Sequence, residues 1–345
     1  MSLRTPYLLF LGDAPDLFAA KVACGIRDWR PEYALGQLRL EGCEVDLGIE
    51  DLSLEVAWER GARTLVIGVA NRGGTVSPGW LGVLERALRI GYDIASGLHD
   101  RLANQPRLPA LAAELGRSLI DVRVPADVYP IASGERRRGR RCLAVGTDCS
   151  VGKMYTALAM ERTMRDRGMS ASFRATGQTG ILITGEGVPL DAVVADFMAG
   201  AVEWLTPDNE PDHWDLIEGQ GSLFHPSFSG VTLALVHGGA PDALVLCHEP
   251  TRTNMRGLPT RALPSLAQVR DVSLELARMV NPDCRVCGVS VNTSALDEDG
   301  AREVLARIED ELSLPTVDPY RQGAGRLVDA LPDAPPAESS AGDDA

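Results

Sequence analysis

The chain has little of what would mark a membrane or secreted protein. Its early apolar run, Tyr7-Leu8-Leu9-Phe10-Leu11, is too short for a membrane span and ends at Gly12-Asp13 with no small-residue cleavage site after it. It reads as a first strand. Basic residues are also scarce: 34 Lys and Arg stand against 48 Asp and Glu, a formal net charge of −14. Nucleic-acid surfaces rely on clustered Lys and Arg, so that class of partner is excluded. The seven cysteines form an odd, scattered set, and Cys284-x-x-Cys287 lacks a second pair at zinc-site spacing. A reduced, cytoplasmic protein with no membrane partner is expected, and the two cysteines are read as packing within a strand. There is no internal repeat of fixed period and no strict Gly-x-Gly-x-x-Gly.

What remains is a globular composition, 45% hydrophobic and 24% charged over 345 residues, long enough for two cores. Residues 6 to about 130 alternate strand-like and helix-like segments: Tyr7 to Leu11, Asp16 to Trp29, Asp51 to Arg60, Thr64 to Val69, Pro78 to Ile90 and Leu119 to Val122. Such alternation predicts a parallel sheet with helices on both faces. Arg136 to Arg141 reads as a solvated linker, with a local phosphate-facing patch as the other option. A second α/β unit follows, with strands at Cys142, Ser170 to Ala175, Trp214 to Glu218, Ala243 to Cys247 and Cys284 to Val291. Its expected helices are Tyr155 to Arg167, Asp191 to Trp204, Pro264 to Val280 and Asp297 to Leu312. The expected fold is therefore α/β, with two doubly wound parallel-sheet domains at 1–134 and 141–331. The tail 332–345, rich in Pro, Ala, Ser and Asp, is expected to be disordered.

The stretch Gly146-Thr147-Asp148-Cys149-Ser150-Val151-Gly152-Lys153-Met154 sits between an apolar strand and an amphipathic helix. Glycines permit a tight turn with inward N–H groups, and the helix start with Lys153 supplies positive charge for a phosphate. A glycine-rich helix entry with an exposed lysine is the plainer alternative. In ordinary phosphate loops a Ser or Thr directly after the lysine ligates Mg2+. Met154 cannot, and Tyr155 and Thr156 lie further round the helix. The loop keeps an anion cradle and lacks a metal ligand, so no metal is expected.

Other reactive groups fall at predicted strand ends of the second unit, where ligands bind in α/β sheets. Glu218, before Gly219-Gln220-Gly221, is a candidate general base, as is His225; either could instead be structural. His248 ends a strand beside Glu249 and Arg252. Arg174 and Arg252 are candidates to grip a substrate carboxylate, with Arg256 a spare. In the first unit, Asn71 follows a strand in Asn71-Arg72-Gly73-Gly74, either a ligand loop or a plain turn.

The loop resembles the Gly-Thr-Asp-Thr-x-Val-Gly-Lys-Thr loop of dethiobiotin synthetase. Glu218-Gly-Gln-Gly resembles that family's Glu-Gly-Ala-Gly, and Gly288 to Asn292 its late strand ending in an adenine-side asparagine. A wider resemblance covers nearly the whole chain: Ala19 to Ala23 with Gly36-Gln37-Leu38, the Gly68 to Gly74 loop, Gly146 to Lys153, Thr176-Gly177-Gln178-Thr179-Gly180 and Glu218 to Leu223. These look like a bacterial and archaeal family that joins a Rossmann-like N-terminal domain to a P-loop NTPase-like, dethiobiotin-synthetase-like C-terminal domain. The resemblance implies transfer of acetyl from acetyl-CoA to D-glutamate. On it, residues 146–154 and Asn292 would bind the cofactor, Glu218 or His225 would act as base, and Arg174, Arg252, Asn71 and Gln178 would bind substrate. A homo-oligomer is expected. The rival is an ATP/Mg-dependent carboxylate ligase or kinase in which Asp148, Thr156 or Glu218 recovers the metal; a non-catalytic nucleotide-binding regulator is a third class.

Overall fold

The computed structural model describes residues 3–17, 19–71, 73–125 and 128–332, so the tail expectation lies almost wholly outside the described residues. The chain divides into two units. One comprises Met1–Pro130 with Ala175–Phe197, the other Ile131–Arg174 with Met198–Ala345.

The first unit is built around a strand without a polar face. β1 (Tyr7–Gly12) is buried along its whole length, as a parallel strand covered on both sides must be. Helix α1 (Lys21–Trp29) follows and buries Val22, Ala23, Ile26 and Trp29. Next come β2 (Ala34–Arg39), α2 (Leu54–Glu59), β3 (Thr64–Ile67), α3 (Leu81–Ile90), β4 (Asp93–Ser96), α4 (Leu108–Leu115) and β5 (Leu119–Asp121). All pairings are parallel, in the order β2-β1-β3-β4-β5, with Leu9 opposite Val66 and Val66 opposite Ala95. Strands β2 and β4 and helix α4 were not expected from sequence, because each is short and lacks a long apolar run. The switch point of this order lies between β1 and β3, where such sheets take up ligands. Here protein fills it. Trp80 donates from Nε1 to Asp13 Oδ1 at 2.9 Å, and its ring meets Phe10 edge-on. Ala23 N donates to Gly68 O, and Ala70 N to Ala19 O.

The second unit begins at β6 (Arg140–Gly146) and continues through α5 (Lys153–Asp166) and β7 (Ala171–Arg174). The chain then returns to the first unit with α6 (Gln178–Thr184), and α7 (Ala195–Leu205) leads back. β8 (Trp214–Ile217), α8 (Ser229–Gly239), β9 (Ala243–His248), α9 (Leu266–Arg278), β10 (Arg285–Val291), α10 (Glu298–Leu312) and β11 (Thr316–Val317) complete it. This sheet is also parallel, ordered β11-β10-β9-β6-β8-β7, so β6 and its loop are central. Helix α9 starts in a reciprocal capping box, Ser265 with Gln268, which satisfies two of its first-turn N–H groups.

The basic run Arg136 to Arg141 is not a solvated linker throughout. Arg140 and Arg141 open β6 and are buried, and Arg137 reaches in to donate to Thr206 O and Oγ1 at 2.7 and 2.6 Å. Guanidinium donors there saturate carbonyls at helix C-termini, a use that charge density alone does not reveal. Cys287 is buried within β10 and Cys284 just before it, and all seven cysteines are free thiols. No helix among the described residues is long and apolar enough to cross a membrane.

Gly68 tests the packing argument. A Cβ there would lie 2.5 Å from Ala23 Cβ, inside contact distance, so α1 can close on β3 only over a bare backbone. Gly68→Ala is expected to lower unfolding free energy by about 1–3 kcal/mol in urea titration. An unchanged midpoint would show that α1 has room to move.

Candidate functional site

The site is the carboxyl edge of the second sheet. β6 delivers the loop, β8 delivers Glu218, β9 delivers His248 and β10 delivers Asn292, so four neighbouring strands supply it. The loop leaves β6 with Ser150 at φ +53° and Gly152 at φ +100°. Those left-handed residues turn the backbone sharply enough that, among the described residues, no N–H from Cys149 to Gly152 donates to a backbone carbonyl. Such a run of N–H groups has the form of a nest, an arrangement able to hold an anion.

Lys153 opens α5 and is buried, its Nζ donating to Asp148 O at 2.7 Å. Burial lowers its pKa, with Cys247, Cys149, Asp148 and Glu218 opposing that shift. Glu218 is itself 4% exposed. Its approach to the lysine depends on the next residue: a Cβ on Gly219 would lie 1.7 Å from Ala144 O and 2.8 Å from Lys153 Cδ. Only glycine lets the β8 loop pass this close to the lysine stem.

Two arginines brace the loop from the segment after β9. Arg252 Nη1 donates to Asp148 Oδ2 and to Cys149 O, both at 2.8 Å, and Nη2 reaches Ser150 O at 3.2 Å. Arg256 donates its backbone N–H to Asp148 Oδ2 at 2.7 Å and its guanidinium to Ser150 Oγ. Asp148 is fully buried, and its Oδ1 has no hydrogen-bond partner among the described residues. Arg252, expected to grip substrate, thus holds the loop; Arg256, ranked as a spare, shares that task.

His225 belongs to the same cluster but offers no free lone pair. Its Nδ1 accepts from Ser227 N at 3.2 Å, so the proton sits on Nε2, which faces Arg256 O at 3.1 Å. A base needs an open nitrogen, and both are used. His225, Asp148 and Cys149 do bring one ligand atom each within 4.8 Å of one another. Lys153, Arg252 and Arg256 surround them, however, and that charge suits an anion rather than a cation. Thr156, a candidate to recover a metal, is buried, donating to Gly152 O at 2.9 Å and bonded to Ser290 Oγ at 2.7 Å.

Arg174 ends β7 on this edge, opposite Ile217, but its side chain leaves the edge. Its Nε donates at 2.7 Å to Asp215 Oδ1, and Asp215 pairs in register with Ser172, so the guanidinium turns back along the sheet. Asn292 spends its Oδ1 on Ser294 N at 3.1 Å, closing its own turn. Asn71 and Gln178 belong to the first unit. Asn71 closes a loop there, donating to Thr75 O at 2.9 Å and accepting from Thr75 N at 3.0 Å. His248, by contrast, gains weight: Nδ1 lies 3.1 Å from Thr147 Oγ1. The signal in sequence was its strand-final position beside Glu249 and Arg252.

The chain belongs to the family described as a domain of unknown function (DUF1611), whose P-loop domain matches residues 130–328 and whose Rossmann-like domain matches residues 38–125. It is 66% identical over 329 residues to the D-glutamate N-acetyltransferase of Tritonibacter scottomollicae, covering 95% of this chain and 99% of the relative. It is 46% identical over 328 residues to that of a Pseudoalteromonas species, with the same coverage. A crystal structure of a DUF1611 family protein from Anabaena variabilis superposes with a TM-score of 0.85 at 34% identity, covering 95% of this chain and 99% of that one.

His248 yields a pH test. Burial foremost, with Arg307 and Arg252 adding to it, lowers its pKa from 6.5 to about 4 against the pull of Glu249. Between those values the unfolded chain binds the proton and the folded one does not, so stability falls as pH drops through that window and is unaffected above it. The loss across the window should be at most about 3 kcal/mol. His248→Gln should flatten that slope in pH-dependent urea unfolding; an identical slope in both proteins would remove His248 as its source.

Proposed function

We propose that the protein moves the acetyl group of acetyl-CoA to the amino group of D-glutamate, and that Gly146 to Lys153 cradles a phosphate of CoA without a metal. The observation that carries the cradle is the pairing of an open amide nest with Met154, where a magnesium-binding hydroxyl would stand. The activity itself rests on the two relatives that bear that name. Acetyl transfer suits such a loop, since no phosphoryl bond need break. The ammonium first loses a proton to solvent; its lone pair attacks the thioester carbon, the C–N bond forms, the C–S bond breaks, and the second proton shed by nitrogen goes to the departing CoA thiolate.

CoA separates its phosphates from its thioester by the whole pantetheine arm. In an extended donor, groups touching the phosphate are remote from the acetyl carbon. Glu218, close to Lys153, then steadies the lysine rather than deprotonating the acceptor, and His225 secures the segment that carries Arg256. This reading places the acceptor elsewhere.

With acetyl-CoA and D-glutamate, the protein should release free thiol only when both are present, and EDTA should not slow it. Lys153→Ala should raise KM for acetyl-CoA about tenfold, as loss of a charge-assisted hydrogen bond does, and leave KM for D-glutamate within about twofold. Magnesium-dependent ADP release from ATP, with no thiol, would sink the reading in favour of a ligase or kinase.

A further inference from the structure

The Thr176 to Gly180 motif is not used by the phosphate loop, and α6, which it begins, packs in the first unit. There Gln178 meets the carboxyl ends of β4 and β5, the edge at which α/β sheets take ligands. With its amide turned as its neighbours require, Gln178 donates to Gly97 O and accepts from Arg123 Nη2 at 3.1 Å. Arg123 Nε donates to the same Gly97 O at 2.7 Å. A Cβ on Gly97 would lie 2.8 Å from Gln178 Cβ, so this junction also needs a bare backbone.

Two neutral acceptors on fixed elements thus aim one guanidinium. Its remaining partner is different in kind. Nη1 pairs with the carboxylate of Asp191, in the short 3-10 turn Leu190–Ala192. Arg123 is 19% exposed there and Asp191 44%. An ion pair with so exposed a carboxylate is weak in water, so another carboxylate can displace it at small cost. Arginine is the residue suited to that exchange, because its planar fork accepts a carboxylate through two parallel hydrogen bonds.

We infer that Arg123, oriented by Gln178 and the Gly97 carbonyl, is a carboxylate ligand for the dicarboxylic amino-acid acceptor, and that Asp191 fills its place when no acceptor is bound. The inference rests on the acetyl-transfer reading for the identity of the acceptor.

Steady-state kinetics of Arg123→Gln, Arg123→Lys and Asp191→Asn test it. Arg123→Gln should raise KM for D-glutamate about ten- to a hundredfold with KM for acetyl-CoA unchanged, and Arg123→Lys should recover only part of the loss. Asp191→Asn should lower KM for D-glutamate severalfold, an effect that a merely structural ion pair would not give. A KM for D-glutamate within about twofold of wild type in Arg123→Gln, or a raised one in Asp191→Asn, overturns the assignment. If Arg123→Gln does not fold, Asp191→Asn decides alone. If the wild type releases no thiol, the acetyl-transfer reading fails by itself, and calorimetry with D-glutamate takes over: heat in wild type that vanishes in Arg123→Gln upholds the carboxylate site, and no heat in wild type ends it.

Discussion

A lysine ammonium held almost out of solvent at the end of a central strand is the constraint the second unit answers to. Burial lowers the pKa of Lys153, so the charge survives there only with acceptors arranged around it. Asp148 O accepts a hydrogen bond from its Nζ, and Glu218 is near enough to favour the charged form. Those two groups in turn need support. Asp148 Oδ2 accepts from Arg252 and from the Arg256 N–H; Glu218 is brought in by a glycine at which any Cβ would collide with Ala144 O. The loop, the segment after β9 and the end of β8 are one electrostatic assembly, and no member can be altered without stranding another's charge.

That assembly explains which readings from sequence held. The strand, loop and helix around Lys153 were legible because each carries a local signature: an apolar run, two glycines before a lysine, and helical spacing. The two-domain α/β architecture was legible from alternation. The positions of strand-final residues followed too, since a parallel sheet puts all its carboxyl ends on one edge.

Side-chain direction was not legible. Arg174 and Arg252 look alike in sequence, each a lone arginine at a strand end, yet one turns back to Asp215 and the other braces the loop. The choice depends on a buried carboxylate two residues back across the sheet in one case, and on the buried Asp148 carboxylate with two loop carbonyls in the other. His225 and His248 divide in the same way. His225 has backbone groups on both nitrogens, whereas the one bond found for His248 is to a hydroxyl. The excursion of Ala175–Phe197 into the first unit likewise carries no compositional mark, because its apolar residues suit either core.

Met154 matters less as a lost ligand than as a sign of how the loop is neutralised. A triphosphate site relies on Mg2+ to offset charge that one lysine cannot. Here the additional positive charge is covalent, on Arg252 and Arg256, and it is spent largely on Asp148 and on loop carbonyls. Fixed cations hold the backbone in shape before any ligand arrives and leave the amide nest to do the binding, which is preorganisation. They cannot follow charge as it migrates between oxygens, as a metal coordinated by both partners can. A loop so built suits a phosphate whose charge does not change during the reaction, as the proposed acetyl transfer would require.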